Sequence, residues 1–486
     1  MVQNKQNPRN LTMLTDYYQI NMMYAHFKND LLDKEVVFDV FYRKNPCGGG
    51  YAIFAGLEQV VEYIQNIRFT KEDVDYLATV HDYDPDFLQY LLDFRFTGEI
   101  WAAPEGTIVF PNEPILKVRT NVLEAQLIET TILNIINHQT LIATKASRVV
   151  YAADGDPVLE FGLRRAQGPD AGIYGARAAY IGGVSATSNV LAGKMFSIPI
   201  RGTHAHAYVQ SYPSELEAFI AFAQAFPDNA SLLVDTYDTL NSGVPNAIKT
   251  FKMMKERLGD QFQNFGIRLD SGDMAYLSKQ ARKMLDEAGF PDAKIVASND
   301  LDELLIRDLK LQGAKIDIWG VGTNLITSRD CPSLGGVYKL VAEKEGDQLV
   351  PKIKISENPE KITTPGCKKV VRFYDRSTKK AILDLIMLED EPIPQQDFIA
   401  FDPINIWKKK MIRNFVSKEI LIPIFQSGQL VYSLPTLKEI RDYAKQELQT
   451  ISEEMKRLHN PHIYHVDLSK KLWDLKYGLL NQERKR

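Results

Sequence analysis

A repeating alternation of short apolar runs and helical patterns between residues 155 and 345 constrains this chain more than any other feature. The apolar runs lie at residues 157–161, 197–200, 231–235, 265–270, 294–298, 316–322 and 336–342. Segments with helical periodicity, such as SELEAFIAFAQAF and DMAYLSKQARKMLDEAG, separate most of them. Apolar strands joined by helices form parallel sheets, because the crossover helices bury both faces. The pattern therefore predicts an α/β fold with an irregular TIM-like (β/α) barrel, and an open doubly wound sheet is the alternative.

The regions on either side of this repeat predict a second domain of α+β type. Residues 1–150 combine strand-like stretches such as EVVFDVFYR with a long apolar helical segment over 122–153. Residues 346–486 have the pattern of strands and turns followed by helices. We expect the N-terminal α+β domain to span 1–150 and the barrel with the active site to span 151–345. The C-terminal region is predicted to pack on the N-terminal domain.

Charge and cysteine content argue against several classes of protein. A formal net charge of -4 and a pI of about 6.1 do not suit a general nucleic-acid-binding protein. Cys47, Cys331 and Cys367 lie far apart and form no CxxC motif, which favours a reducing compartment. The polar N-terminus has no apolar signal region, and no apolar run reaches the roughly 18 residues of a membrane span. We therefore expect a cytoplasmic protein that does not enter a membrane.

Polar and charged residues follow the apolar runs where each predicted strand ends. In chain order they are Gly162 and Arg164, then Thr203, His204 and His206, then Asp235, Asp270, Ser298 and finally Thr323. In α/β barrels the carboxyl ends of the strands build the active site. A single polar loop is ordinary, but six loops that together carry Arg, His, Asp and Gly-Thr predict a site at this end of the sheet.

The pair His204 and His206, in GTHAHAYV, allows two kinds of enzyme. In an extended strand these residues face the same side, so they suit a metal-dependent barrel hydrolase with Asp235 or Asp270 as a further ligand. However, the chain has no histidine between residues 207 and 458, where later strands would supply the remaining ligands. The alternatives are one reactive imidazole beside a bystander, or a histidine with a structural role.

Glycines and arginines at the strand ends favour an anionic ligand. The loop GVGTN contains Gly320, Gly322 and Thr323, which would let backbone N–H groups and a hydroxyl approach a phosphate. Arg164 and Arg268 also stand at strand ends, where a guanidinium can hold a phosphate or a carboxylate. The alternative for Arg268 is an ion pair with a nearby aspartate. No G-x-G-x-x-G motif follows a predicted strand, so the usual dinucleotide fingerprint is missing.

Six motifs in a fixed order resemble the nicotinate phosphoribosyltransferases, which belong to the type II phosphoribosyltransferases. They are LTDYYQ, EFGLRRAQG, GTHAHAYV, LLVDTYDT, IRLDSGD and GVGTNL. The resemblance runs from about residue 11 to 340, and NPHIYHVDLS near the C-terminus adds weaker support. It implies transfer of the phosphoribosyl group of phosphoribosyl pyrophosphate (PRPP) to nicotinate in NAD salvage, stimulated by ATP. It also implies Mg²⁺ and a homodimer with active sites at the subunit interface.

The resemblance further implies roles for individual residues. His206 corresponds to a histidine that ATP phosphorylates, and Asp235 to the carboxylate that orients its imidazole. Tyr18 of the neighbouring subunit and Phe161 correspond to an aromatic pair around the pyridine ring. Contacts to nicotinate are implied for Thr203 and Arg268. The loop with Gly320, Gly322 and Thr323 resembles one that binds the 5-phosphate of PRPP. Their positions at strand ends favour contacts to phosphate or PRPP for Arg164, Asp270 and Ser298 as well. His204 receives no role.

The choice between nicotinate and nicotinamide depends on the segment SATSNVLAG. Ser188 and Asn189 stand where the similar nicotinamide phosphoribosyltransferases place an aspartate. An aspartate at that place would repel the carboxylate of nicotinate, so neutral residues favour the acid. A nicotinamide phosphoribosyltransferase remains the alternative within the same fold.

Overall fold

The computed structural model describes residues 9–358 and 361–483. These residues belong to two compact units. One comprises Met1–Thr144 together with Ser333–Arg486, and the other comprises Lys145–Pro332. We call them the first and the second unit.

The helices alternate with strands through much of the chain. They are α1 (Tyr17–Lys28), α2 (Leu57–Asn66), α3 (Lys71–Val80), α4 (Pro85–Asp93), α5 (Val122–Ala153), α6 (Pro169–Ile181), α7 (Val190–Phe196), α8 (His206–Gln210), α9 (Glu215–Ala225), α10 (Val244–Leu258), α11 (Met274–Glu287), α12 (Glu303–Leu311), α13 (Thr323–Ile326), α14 (Leu437–Thr450), α15 (Glu453–Lys456) and α16 (Lys470–Glu483). Helix α5 coincides with the apolar segment predicted to be helical. Within residues 9–358 and 361–483, no helix is both long enough and apolar enough to cross a bilayer.

The strands are mostly short. They are β1 (Glu35–Phe41), β2 (Ala52–Ile53), β3 (Glu99–Ala102), β4 (Ile108–Val109), β5 (Leu116–Asn121), β6 (Val158–Glu160), β7 (Ala186–Thr187), β8 (Ser231–Leu233), β9 (Gly266–Leu269), β10 (Lys294–Ala297), β11 (Ile318–Val321), β12 (Val337–Glu345), β13 (Gln348–Pro351), β14 (Lys368–Asp375), β15 (Ala381–Leu388), β16 (Phe398–Phe401), β17 (Lys409–Ile412), β18 (Phe415–Glu419), β19 (Ile422–Gln426), β20 (Gln429–Leu430) and β21 (Val466–Leu468).

The second unit contains a six-stranded sheet in the order β7-β6-β11-β10-β9-β8. Every neighbouring pair in this sheet is parallel. Helices α6 to α12 lie between its strands in the chain, which is the arrangement that the βα repeat predicted. The prediction of a mixed α/β fold with a parallel sheet is therefore confirmed.

The prediction of a closed barrel is not confirmed, because no strand pairing among the described residues joins β7 to β8. The predicted strand at 197–200 contributes only an isolated bridge between Thr187 and Ile200. Pro199 has no N–H to donate, and a ladder cannot continue through such a residue. The chain then runs irregularly through residues 201–205 and enters α8.

The predicted seventh strand of the barrel, at 336–342, belongs to a different sheet. It forms part of β12, which pairs antiparallel with β1 and with β13. An apolar run of this length predicts a strand but not its partner, because the partner is distant in the chain.

The first unit is built on two larger antiparallel-rich sheets. One has seven strands in the order β13-β12-β1-β5-β3-β19-β20, and the other has six in the order β17-β16-β21-β15-β14-β18. Strands from the beginning and the end of the chain share the seven-stranded sheet, where β3 pairs with β19. In the six-stranded sheet β15 and β21 run parallel.

Several polar residues that follow the strands of the second unit are N-caps of the next helix. Asn189 accepts a hydrogen bond from the Ala192 N–H at the start of α7. Asp273 caps α11 and Asp302 caps α12 in the same way. Such caps satisfy N–H groups that the first helical turn leaves without partners.

Candidate active site

A cleft of about 490 Å³ lies where the strands of the second unit end. Nine residues predicted from the sequence line it: Phe161, Arg164, Thr203, Arg268, Asp270, Ser298, Gly320, Gly322 and Thr323. The carboxyl ends of parallel strands share one edge of a sheet, so residues far apart in the chain meet there. Further lining residues are Leu163, Arg165, Ser188, Gly202, His204, Ala205, Asn299 and Asp300.

Phe161, which lines the cleft, packs closely against two glycines. A Cβ atom added to Gly320 would lie 2.8 Å from the Phe161 ring, so a larger residue at position 320 would clash with the ring as it stands. At Gly322 an added Cβ would lie 3.3 Å from the Phe161 carbonyl oxygen, a tight contact. Gly320 therefore makes room for the ring of Phe161, and Gly322 makes room for its backbone.

Arg268 brings a partly buried cation to the cleft, with a side chain that is 15% exposed. Its Nη1 donates to the His204 carbonyl at 3.1 Å, and its Nη2 lies 3.7 Å from Asp270 Oδ1. Its Nε is buried and has no hydrogen-bond partner among the described residues. Burial lowers the pKa of the guanidinium, and the carboxylates of Asp270 and Asp235 oppose that shift. A guanidinium N–H without a partner can donate to a carboxylate or a phosphate.

Asp270 is held on the side facing Arg268. Its Oδ1 accepts a hydrogen bond from the Ser298 hydroxyl, which also lines the cleft. The sequence alternative that pairs Arg268 with an aspartate is thus partly realised at Asp270. The other aspartate of this loop, Asp273, is engaged as the cap of α11.

His206 and Asp235 form a pair beside the cleft. His206 Nε2 lies 3.2 Å from Asp235 Oδ1, and the side chains are 39% and 1% exposed. Asp235 Oδ2 accepts from the Asp270 N–H at 3.0 Å and from the Ser271 hydroxyl at 2.6 Å. The buried carboxylate is therefore fixed, and it lies against one ring nitrogen of a half-buried imidazole.

The loop after β10 has an unusual backbone. Asn299 and Asp300 adopt φ values of 93° and 41°, a region that costs non-glycine residues roughly 1 kcal/mol or more each. The side-chain amide of Asn324 holds this loop by donating to the Asp300 carbonyl at 2.7 Å and to the Leu301 carbonyl at 3.2 Å. These two bonds tie the loop that follows Ser298 to Asn324 of GVGTN.

His204 and His206 have different environments. His204 is buried, and its Nε2 accepts from the Leu233 N–H at 3.3 Å. Tyr208, Phe219 and Phe222 surround its ring. Burial lowers the pKa of His204 to about 4, so the ring is neutral at neutral pH.

The premise of a two-histidine metal site is therefore wrong. Residues 201–205 are not a strand, and His206 is the first residue of α8, so the two rings do not share a strand face. Across the described part of the chain, no group of three or more His, Cys, Asp or Glu side chains is placed to hold a metal ion.

Comparisons with known proteins agree on one family. Residues 13–137 match the nicotinate phosphoribosyltransferase (NAPRTase) N-terminal domain, and residues 367–476 match the nicotinate phosphoribosyltransferase C-terminal domain. A nicotinate phosphoribosyltransferase of Bacillus subtilis is 50% identical over 477 residues, covering 98% of this chain and 96% of that protein. The chain belongs to the nicotinate phosphoribosyltransferase family. The Caenorhabditis elegans member is 37% identical over 529 residues, covering 96% and 93%.

A solved structure extends the family likeness to three dimensions. The crystal structure of human nicotinic acid phosphoribosyltransferase superposes with a TM-score of 0.85 at 31% identity, covering 96% of this chain and 99% of that one. The family resemblance given by the six sequence motifs is thus confirmed.

One residue that the family resemblance assigns to the site is not among those that line the cleft. Tyr18 belongs to α1 of the first unit, where its side chain is 49% exposed. Burial, together with Glu129 and Asp16, raises the pKa of its phenol. Its expected role requires a second copy of the chain, and that remains a prediction.

Glu160 is the supporting residue that sequence reasoning missed. It ends β6 and is fully buried, and burial raises the pKa of its carboxyl. It accepts hydrogen bonds from the Gly162 N–H and from the Thr187 hydroxyl, so it links the loops after β6 and β7. The available signal was a carboxylate inside an apolar strand run, which is costly to bury unless it is hydrogen-bonded.

Proposed function

We propose that this protein transfers the phosphoribosyl group of PRPP to nicotinate, giving nicotinate mononucleotide and pyrophosphate, and that ATP stimulates the reaction through a phosphohistidine. The observation that carries the proposal is the His206–Asp235 pair, joined through Asp270 to a cleft that contains Arg268 and the GVGTN loop. Membership of the family makes nicotinate the expected acceptor.

In the transfer step, the pyridine nitrogen of nicotinate forms a bond to C1 of the ribose. The bond from C1 to the pyrophosphate oxygen breaks, and pyrophosphate leaves with the electron pair. Positive charge develops on the ribose ring, and Asp270 in the cleft is a carboxylate that can stabilise it. No side chain has to remove a proton, because the pyridine nitrogen is already a nucleophile.

Arg268 is proposed to bind the carboxylate of nicotinate. Its Nε lacks a partner among the described residues, and its Nη groups are already oriented by His204 and Asp270. A guanidinium that presents two parallel N–H groups matches a carboxylate. Phe161 would stack on the pyridine ring, and Thr203 and Ser188 line the same cleft without adding negative charge.

The proposed phosphohistidine step requires one tautomer of His206. When Nε2–H donates to Asp235, Nδ1 carries a lone pair that can attack the γ-phosphorus of ATP. The new N–P bond replaces the bond from the γ-phosphorus to the bridging oxygen, and ADP leaves. Asp235 stabilises the charged imidazole, and water later hydrolyses the phosphohistidine to free phosphate.

Phosphate charge in this reaction is shared by several groups. Arg164, Ser298 and the GVGTN residues Gly320, Gly322 and Thr323 line the cleft and are proposed to contact PRPP. The carboxylates of Asp270 and Asp300 also line it, and carboxylate oxygens are ligands that Mg²⁺ prefers. These donors fit a magnesium complex of PRPP, and the ion would neutralise the pyrophosphate as it leaves.

The active unit is proposed to be a homodimer in the cytoplasm, with Tyr18 of the partner subunit facing Phe161 across the pyridine ring. An exposed tyrosine in the first unit is consistent with a contact to a second copy. The wide spacing of Cys47, Cys331 and Cys367, with no CxxC motif, favours a reducing compartment.

The test is to incubate the protein with nicotinate, PRPP, Mg²⁺ and γ-labelled ATP. We expect nicotinate mononucleotide and an acid-labile phosphate on the protein. His206→Ala should abolish the label and the stimulation by ATP, whereas His459→Ala, at an exposed histidine of the first unit, should change neither. Label retained by His206→Ala would disprove the phosphohistidine, and faster turnover of nicotinamide than of nicotinate would favour the amide enzyme.

A further inference from the structure

His204 lies between two proposed functional residues and has no role in the reaction described above. We propose that His204 is a positioning residue whose neutral imidazole docks residues 203–206 onto the open edge of β8 and thereby places His206 and Arg268. This inference deepens the proposed function and rests on it for the roles of those two residues.

The edge of β8 supplies the first observation. On one side β8 pairs with β9, through hydrogen bonds that use the Ala230 carbonyl and the Val234 N–H. Successive residues of a strand direct their backbone N–H and C=O groups to alternate sides, so those of Ser231 and Leu233 point away from β9. There the Ser231 carbonyl and the Leu233 N–H would be unpaired at an edge.

Side chains occupy that edge where a strand is missing. The Thr203 hydroxyl donates to the Ser231 carbonyl at 2.6 Å, and His204 Nε2 accepts from the Leu233 N–H at 3.3 Å. One donor and one acceptor thus reproduce the pairing that a neighbouring strand's backbone would make. The segment is anchored on its other side, because the Thr187 N–H donates to the Pro199 carbonyl and the Arg201 N–H donates to the Thr187 carbonyl.

The docked segment controls two groups of the site. The main-chain carbonyl of His204 accepts from Arg268 Nη1 at 3.1 Å, which orients the guanidinium. Helix α8 begins with His206, two residues after His204. Asp235, which pairs with His206, likewise comes two residues after Leu233. The bond between His204 and Leu233 therefore sets the separation of the two short segments that hold the His206–Asp235 pair.

The surroundings of His204 keep its ring neutral, as an acceptor must be. Tyr208, Phe219 and Phe222 lie around it with ring centroids 5.2, 6.2 and 4.7 Å away. Among charged or titratable groups, Arg268 and His206 disfavour a second proton on the ring. Because Nε2 accepts, the tautomer that fits this bond carries its single proton on Nδ1, which is buried and makes no regular hydrogen bond among the described residues.

The wild-type protein allows a direct test. Nitrogen-15 NMR of histidine-labelled protein should show His204 with a protonated Nδ1 and an unprotonated Nε2 that accepts a hydrogen bond. A ring protonated at Nε2 would overturn the proposal without any variant being made.

Three variants separate positioning from simple stability. His204→Phe keeps the aromatic packing but removes the acceptor, and His204→Gln restores an acceptor oxygen. Phe222→Leu loosens the same aromatic cage and leaves the acceptor in place. Hydrogen exchange of the Leu233 amide should become at least about tenfold faster in His204→Phe, with smaller changes in the other two.

Activity then tests the link to the site. His204→Phe should raise the KM for nicotinate and slow phosphohistidine formation by about tenfold each, while His204→Gln recovers most of both. Unchanged Leu233 exchange in His204→Phe, or equal losses in Phe222→Leu, would refute positioning. If the wild type itself formed no nicotinate mononucleotide, the proposed function would fall, and the exchange and NMR results would still decide the role of His204.

Discussion

Acid should weaken the second unit through His204. The pKa of His204 is lowered to about 4 from an ordinary 6.5, chiefly because burial disfavours the charged ring. The unfolded chain therefore binds a proton between these two values while the folded chain does not. Stability from this group is complete above pH 6.5 and is lost as the pH falls toward 4. Each pH unit in that window costs about 1.4 kcal/mol.

Between pH 7.5 and pH 5.0, the loss from His204 alone amounts to about 2 kcal/mol, a factor of roughly thirty in the unfolding equilibrium. The assay is urea unfolding at both pH values, followed by the fluorescence of Trp319. This is the only tryptophan of the sequence between residues 145 and 332, and it is buried. The other three tryptophans would be replaced by phenylalanine so that the signal reports on the second unit.

The comparison with His204→Gln isolates the effect. Other groups with shifted pKa values, such as His138, titrate equally in both proteins and cancel. His204→Gln should have lower stability at pH 7.5 but should lose about 2 kcal/mol less on acidification than the wild type. If both proteins lost the same amount, His204 would not be held neutral by burial, and the reasoning would be wrong.

Four further outcomes are expected. Asp235→Asn should slow phosphohistidine formation by roughly a hundredfold or more, measured by label incorporation, because the carboxylate no longer orients His206. Arg268→Lys should raise the KM for nicotinate about tenfold, since a point charge replaces a planar fork; an unchanged KM would remove Arg268 from the nicotinate site. Gly320→Ala should destabilise the protein by about 1–3 kcal/mol in thermal unfolding through a clash with an aromatic ring. Mixing Tyr18→Ala with His206→Ala should restore part of the activity if sites are shared between subunits, and no recovery would contradict that.

The strand ends of the second unit could be predicted from the sequence because the signals for them are local. Runs such as 265–270 and 294–298 are apolar and bounded by polar residues, and both formed parallel strands. Once strands are parallel, the residues that follow them must share an edge, so Asp270 and Ser298 could be expected to meet, and they are hydrogen-bonded.

The predictions failed where the pairing of a segment depended on residues distant in the chain. The run 336–342 is as apolar as the others, but β1 in the first unit pairs with it. The run 197–200 does not form a strand, because Pro199 has no N–H for ladder hydrogen bonds. The side chains of Thr203 and His204 bind the edge of β8 instead. Glu160 was hidden inside a strand pattern, because its hydrogen bonds go to Gly162 and to Thr187 in another loop.

The sequence by itself determined the parallel α/β architecture, the family and the residue types at the strand ends, because these follow from periodicity and short motifs. Only the tertiary structure decided how the histidines of GTHAHAYV differ. The two residues are only two positions apart in the chain. His204 packs in an aromatic cage and accepts from the Leu233 N–H, whereas His206 begins a helix and pairs with Asp235. The different environments of the two histidines are set by β8 and the residues after it, about thirty residues further along the chain. A local sequence pattern carries no information about packing against such a distant strand.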